Sequence, residues 1–172
     1  MQPFLSMVGS ILRTIFTVFT QTLTTDQASW EGYTARNITS AVTTARGTQV
    51  RVTFEAPAAA STKADRASIG VHNGTASQTT ATPVELLFSG VSGFTITTGG
   101  TLVSDWATMV VPEGSKLVVI IDVAAAPASS FRYLGVADGH YNKVGASYNE
   151  ANPSGMTGPQ ATSLGFNKIE VK

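Results

Sequence analysis

This chain has few residues with which to do chemistry. It has two histidines, His72 and His140, and no cysteine. The missing thiols exclude disulfides, thiolate metal centres and cysteine nucleophiles, and two imidazoles are too few for a His-rich metal centre. His72 falls on the polar face of an alternating stretch, next to Asn73-Gly74. His140 falls in Ala137-Asp138-Gly139-His140-Tyr141, which reads as a turn. Asp138 and His140 stand two apart, but no serine elbow completes a hydrolytic triad. Asp105, Glu113, Asp122 and Asp138 could furnish a carboxylate pair or a Ca²⁺ site, yet each lies in a different element. Asp122 ends an apolar run and reads as a loop cap. Asp105, beside Trp106, reads as the closure of a turn. No phosphate loop, dinucleotide fingerprint, zinc motif or EF-hand pattern is present. The expectation is therefore a chain that is not an enzyme and carries no cofactor, with a structural Ca²⁺ ion the one metal a loop could take.

Aromatic side chains are the stronger candidates for a binding site. Trp30, Tyr33, Tyr141 and Tyr148 sit at or near expected loops, with Asn142 and Asn149 beside the last two. Flat rings stack on sugar faces while amides read hydroxyl groups. These six residues are the candidate glycan-binding set. The competing reading is that the rings close the ends of a β-core with their polar atoms reaching water.

The elements that must position them are strands. The chain has 172 residues, room for one domain of ordinary size. Lys+Arg and Asp+Glu are 11 each, and charged residues make up 13%. A neutral, weakly charged chain lacks the basic face that gripping phosphate backbones requires, so no nucleic-acid partner is expected. Threonine is abundant, roughly two dozen residues, and its β-branch favours strands. Val50, Val52 and Phe54 alternate with polar neighbours, as do Ala67, Ile69 and Val71, and Val84, Leu86 and Phe88. Phe94 and Ile96 follow a glycine turn. Residues 106–111 and 116–123 flank Pro112-Glu113-Gly114-Ser115 as two strands and a short loop. Leu117–Ile121 is continuously apolar and reads as a central strand buried on both faces. Residues 131–136, 143–148 and 163–171 are further strands, 56–64 is a linker or short helix, and 149–160 is a long surface loop. About ten short antiparallel strands at this spacing predict an all-β sandwich or barrel.

Residues 1–20 differ from the rest. Phe4, Leu5, Val8, Ile11, Leu12 and Ile15 recur at helical spacing, predicting an apolar-faced helix over 3–12 and a strand over 14–20. The segment is too short and polar for a membrane span. A signal peptide would want its positive charge earlier and an Ala-x-Ala site after. An apolar face of this kind packs on its own domain, on a neighbouring subunit or, less readily, on a membrane surface. The expected organisation is an assembly arm at 1–20 and one domain at 21–172.

The central segments Ala67-Ser68-Ile69-Gly70-Val71, Pro83-Val84-Glu85-Leu86-Leu87-Phe88, Gly93-Phe94-Thr95-Ile96 and Leu102-Val103-Ser104-Asp105-Trp106, followed by Val110-Val111-Pro112-Glu113-Gly114, occur in that order. This order resembles the jelly-roll accessory domain beside some bacterial SGNH (GDSL-like) hydrolases, and modules in structural proteins of tailed phages. The Gly-Asp-Ser nucleophile block of the hydrolases is absent, so no catalytic activity is implied. The resemblance implies a non-catalytic jelly-roll β-sandwich carrying an extra apolar arm. The function expected is that of a virion structural protein of a bacterial virus: a head-fibre, decoration or tail-fibre-like subunit anchored through the arm. Its expected partners are other virion proteins, further copies of itself and cell-surface glycans. The alternative is a free-standing carbohydrate-binding module, secreted or at the cell surface.

Overall fold

The computed structural model describes residues 13–27, 30–123 and 130–172, with the side chains of 27 and 136–138 left aside. Thirteen strands and no helix occur among the described residues. They are β1 (Phe16–Thr20), β2 (Thr25–Gln27), β3 (Tyr33–Ile38), β4 (Gly47–Glu55), β5 (Thr62–Val71), β6 (Val84–Glu85), β7 (Phe94–Ile96), β8 (Thr101–Val103), β9 (Ala107–Val111), β10 (Leu117–Val123), β11 (Phe131–Val144), β12 (Thr157–Leu164) and β13 (Phe166–Val171). They form two antiparallel sheets, so the all-β sandwich expected from the sequence is what the chain builds. The smaller sheet runs β1-β13-β4-β8, with β9 also on β4. The larger runs β12-β11-β3-β10-β5-β6, with β2 on β11 and β7 on β5.

The inner faces close on one core. Phe54, Phe88 and Phe94 meet with centroids 4.8–5.7 Å apart, and Phe19 meets Phe166 at 5.7 Å. Strand β10 is apolar on both sides, as its sequence predicts. Leu117, Val119, Ile121 and Val123 face the main core. Val118 and Ile120 face outward and join Ile38, Tyr141 and Tyr148 in a second, small cluster. Two loops, 72–82 and 145–152, lie over that outer face, so part of the larger sheet is covered twice. Gly70 marks the close approach, since a Cβ there would meet Thr79 Cγ2 at 2.6 Å.

Several expectations need correction. The strand expected over 14–20 forms as Phe16–Thr20, paired to β13 with Val18 and Phe19 buried, and a cut at Gln21 would therefore remove part of the sheet. The helix expected over 3–12, and with it Phe4, Leu5, Val8, Ile11 and Leu12, lies outside the described residues. Residues 131–136 and 143–148 are not two strands; β11 is one strand of 14 residues, and 145–150 is loop. The surface loop expected at 149–160 yields Thr157–Gln160 to β12. The strand expected at 163–171 is broken at Gly165, whose φ of +74° lets the chain turn between β12 and β13. Only Val84 and Glu85 of the 84–88 alternation pair as a strand.

Candidate functional site

Register gives the sandwich two distinct ends. Gly47 at the start of β4 pairs with Val111 at the end of β9. Phe16 at the start of β1 pairs with Val171 at the end of β13, and Val171 with Val50. The turn 112–116 then feeds Leu117, the first residue of β10, and the Thr43 hydroxyl donates to the Pro112 carbonyl at 2.7 Å. All of these lie at one end, where the chain leaves toward residues 1–12: the arm end. Asp122 and Val123 close β10 at the other end. That end is roughly 20 Å away at about 3.3 Å per strand residue.

At the far end a cleft of about 230 Å³ opens between Tyr33, Asp65, Arg66, Asp122 and Tyr148, with Gly145 and Ala146 on its rim. Tyr33 begins β3 and is exposed. Tyr148, in the 145–152 loop, is half-buried, with the Arg66 guanidinium 4.9 Å from its ring centre. Arg66 is itself paired to Glu85 at 2.7 Å. Asp65 is exposed. The cleft therefore offers two phenol rings, one free carboxylate and a guanidinium.

The 145–148 turn is fixed by Asp122, as the sequence suggested for this residue. Its carboxylate accepts the backbone N–H groups of Ser147 at 3.2 Å and Tyr148 at 3.3 Å, and meets the Thr34 hydroxyl. That hydroxyl also lies 2.6 Å from the Gly145 carbonyl. Burial pushes the Asp122 carboxyl above its ordinary range, against the pull of these hydrogen bonds and of Arg36. Arg36 is the residue sequence reasoning missed. It is 0% exposed in mid-strand, and its guanidinium donates to the carbonyls of Ser77 at 3.0 Å, Ser147 at 3.1 Å and Glu150 at 2.9 Å. One buried cation thus pins both covering loops. Burial lowers its pKa to about 10, with Glu150 and Asp122 pulling it back up, so it stays charged at neutral pH. An arginine in a stretch with little apolar alternation carries no sequence sign of this role.

The six aromatic and amide candidates do not form one platform. Trp30 is buried, edge-on to His140 at 5.2 Å and to Tyr33 at 6.0 Å, so its ring offers solvent no face. Asn142 lies 3.4 Å from the His140 ring on the same side of the sheet. Tyr141 and Tyr148 pack on the opposite, outer face with Ile38, Val118 and Ile120. Asn149 is exposed in the loop. Only Tyr33 and Tyr148 share the cleft.

Of the other chemical candidates, His140, Asp105 and His72 are engaged by the fold, Glu113 is exposed on the 112–116 turn, and the side chain of Asp138 lies outside the described residues. His140 is not in a turn: it lies in β11, buried, with Nδ1 2.8 Å from the Thr162 carbonyl. Burial lowers its pKa, against that hydrogen bond. Asp105 closes its turn as expected, accepting the Gly90 N–H at 2.7 Å. His72 Nε2 sits 2.7 Å from the Ala76 carbonyl. Asn37, in an Asn-Ile-Thr glycosylation pattern, is buried with both amide atoms bonded, whereas Asn73, in Asn-Gly-Thr, is exposed. Among the described residues no group of three or more His, Asp or Glu could hold a metal ion, and no helix is long and apolar enough to cross a membrane. No protein-family model matches this chain, and no curated protein matches it.

Proposed function

We propose that this is a non-enzymatic structural subunit of a bacterial-virus particle, a head-fibre, decoration or tail-fibre-like jelly roll. It attaches at the arm end and presents the tyrosine cleft at the other. What carries the reading is this polarity. Ile15 and Phe16 are 48% and 46% exposed where the chain leaves for residues 1–12. That segment carries Phe4, Leu5, Val8, Ile11 and Leu12, and exposed apolar side chains that continue into an apolar segment are suited to burial against a partner. The cleft, with Tyr33, Tyr148 and Asp65, lies at the far end, free to meet a surface glycan: rings for a sugar face, a carboxylate for its hydroxyls. The buried ionisable groups Arg36, Asp122 and His140 are engaged in holding loops and strands, which supports a binding role over catalysis.

The test is the solution mass of the full chain and of a chain beginning at Arg13, which keeps β1. A defined oligomer that becomes monomeric on truncation supports attachment through the arm. A full chain already monomeric would shift the reading to a free-standing glycan-binding module, which the cleft alone would serve. A glycan array on wild type and Tyr33→Ala then tests the second reading, which requires binding that the variant loses and which an array without binding would exclude.

A further inference from the structure

The arm end holds a groove of about 460 Å³ beside the first pair of β4 and β9. Its floor is Val110, Val111 and Pro112, and Arg46, Thr48 and Lys172 stand around it. Val110 is 71% exposed, well above an ordinary sandwich strand residue. Both cations lack an acidic partner among the described residues. Arg46 is exposed, and the Lys172 ammonium rests 4.3 Å over the Trp106 ring, a contact that leaves its charge uncompensated. Glu170, the acid on the neighbouring strand, is already held by Arg51 at 2.8 Å and Lys168 at 3.3 Å, and Glu113, exposed on the turn after Pro112, is paired to neither cation. The backbone here is also satisfied, since the Thr48 and Gln49 N–H groups donate to the Lys172 carbonyl at 2.9 and 3.1 Å. What the groove has to offer is therefore positive charge over an apolar floor.

We propose that this groove docks an acidic segment of a partner protein, with an aliphatic side chain on Val110 and Pro112 and flanking carboxylates at Arg46 and Lys172. Charge complementarity selects the acidic partner. An anionic membrane surface calls for clusters of about four to eight basic residues, and a nucleic acid for a basic face, neither of which two cations supply. Position also favours a protein: Ile15 and Phe16, assigned above to attachment, are exposed at this same end, as is Val42. The inference rests on that reading for its location but predicts a separate contact, made by the sandwich and not by residues 1–12.

Amide NMR on the full chain tests it, with an end-blocked octapeptide alternating Glu and Val and a second alternating Lys and Val. The expected result is shifts confined to residues 46–48, 110 and 111 with the Glu peptide and none with the Lys peptide. Binding should weaken about tenfold or more at 0.5 M salt, where exposed charges are largely screened. Arg46→Glu with Lys172→Glu removes both cations, together with the Lys172–Trp106 contact, and should reverse the preference. No shift, equal shifts from both peptides, or shifts at the cleft end would overturn the inference. Because the peptides need no arm, loss of the oligomer on truncation would stand whichever way this titration falls.

Discussion

The two ends of the sandwich use polar groups in opposite ways. At the cleft end, charge is taken inside: Arg36 and Asp122 are buried and spend their hydrogen bonds on carbonyls and N–H groups of two loops. At the arm end the backbone pairs with itself, while charge and apolar surface stay outside on Arg46, Lys172, Val110, Val42, Ile15 and Phe16. A buried ion is costly unless it is hydrogen-bonded, and the three bonds from Arg36 Nε and Nη1, with Nη2 unpartnered, fix one geometry for the rings around it. An exposed cation beside an exposed valine fixes nothing until something covers it. On the proposed reading, the first end is organised in advance of a ligand, and the second is completed by a partner.

Removing the buried guanidinium breaks that contrast most severely. Arg36→Met leaves three carbonyls without their donor beneath two loops. We expect a loss of about 3 kcal/mol or more in urea unfolding, together with loss of any glycan binding at Tyr148. Asp122→Asn is milder, about 1–2 kcal/mol, because the amide oxygen still accepts one of the two N–H groups. It also changes the pH response. With its folded pKa above the unfolded value, wild-type Asp122 contributes most at low pH, and that contribution fades as pH rises from about 4 through the folded pKa. Unfolding curves across that window should be flatter for the variant. His140 acts in the other direction. Its pKa is lowered by burial, so its contribution is present above about pH 6.5 and is lost as pH falls through the folded value. Wild type should lose stability in that range, and His140→Gln should lose less. The smallest effect is expected at the arm end. Val110→Ser should change stability by under about 0.5 kcal/mol while weakening the groove's peptide contact. A large loss of stability there would show that the residue belongs to the fold and not to a docking surface.

The parts of the fold legible in the sequence were those where burial follows a simple period. The alternation of Val50, Val52 and Phe54 and the unbroken run Leu117–Ile121 each report which faces are covered. Asp122 and Asp105 were legible as loop closures because an acid at a strand end meets free N–H groups. His140 was not, because Gly135 and Asp138-Gly139 look like turn residues, yet sit inside a 14-residue strand with shifted register. Thr157–Gln160 was hidden by Gly158-Pro159, which an edge strand tolerates since one side of its ladder is unpaired. Strand β3 was hidden because its interior positions are filled by Thr34, Arg36 and Asn37, polar residues made burialable only by partners 41 to 127 residues away. The aromatic set was legible as residue types, but not its division between opposite faces of one sheet, which depends on the β3–β11 register.

Hydrogen–deuterium exchange on the assembled full chain, compared with the chain beginning at Arg13, tests the polarity most directly. The account predicts slowed exchange in the assembly at residues 40–48 and 108–116, with residues 33, 65–66 and 144–148 unchanged. Protection at the cleft end, or none at either end, would contradict it.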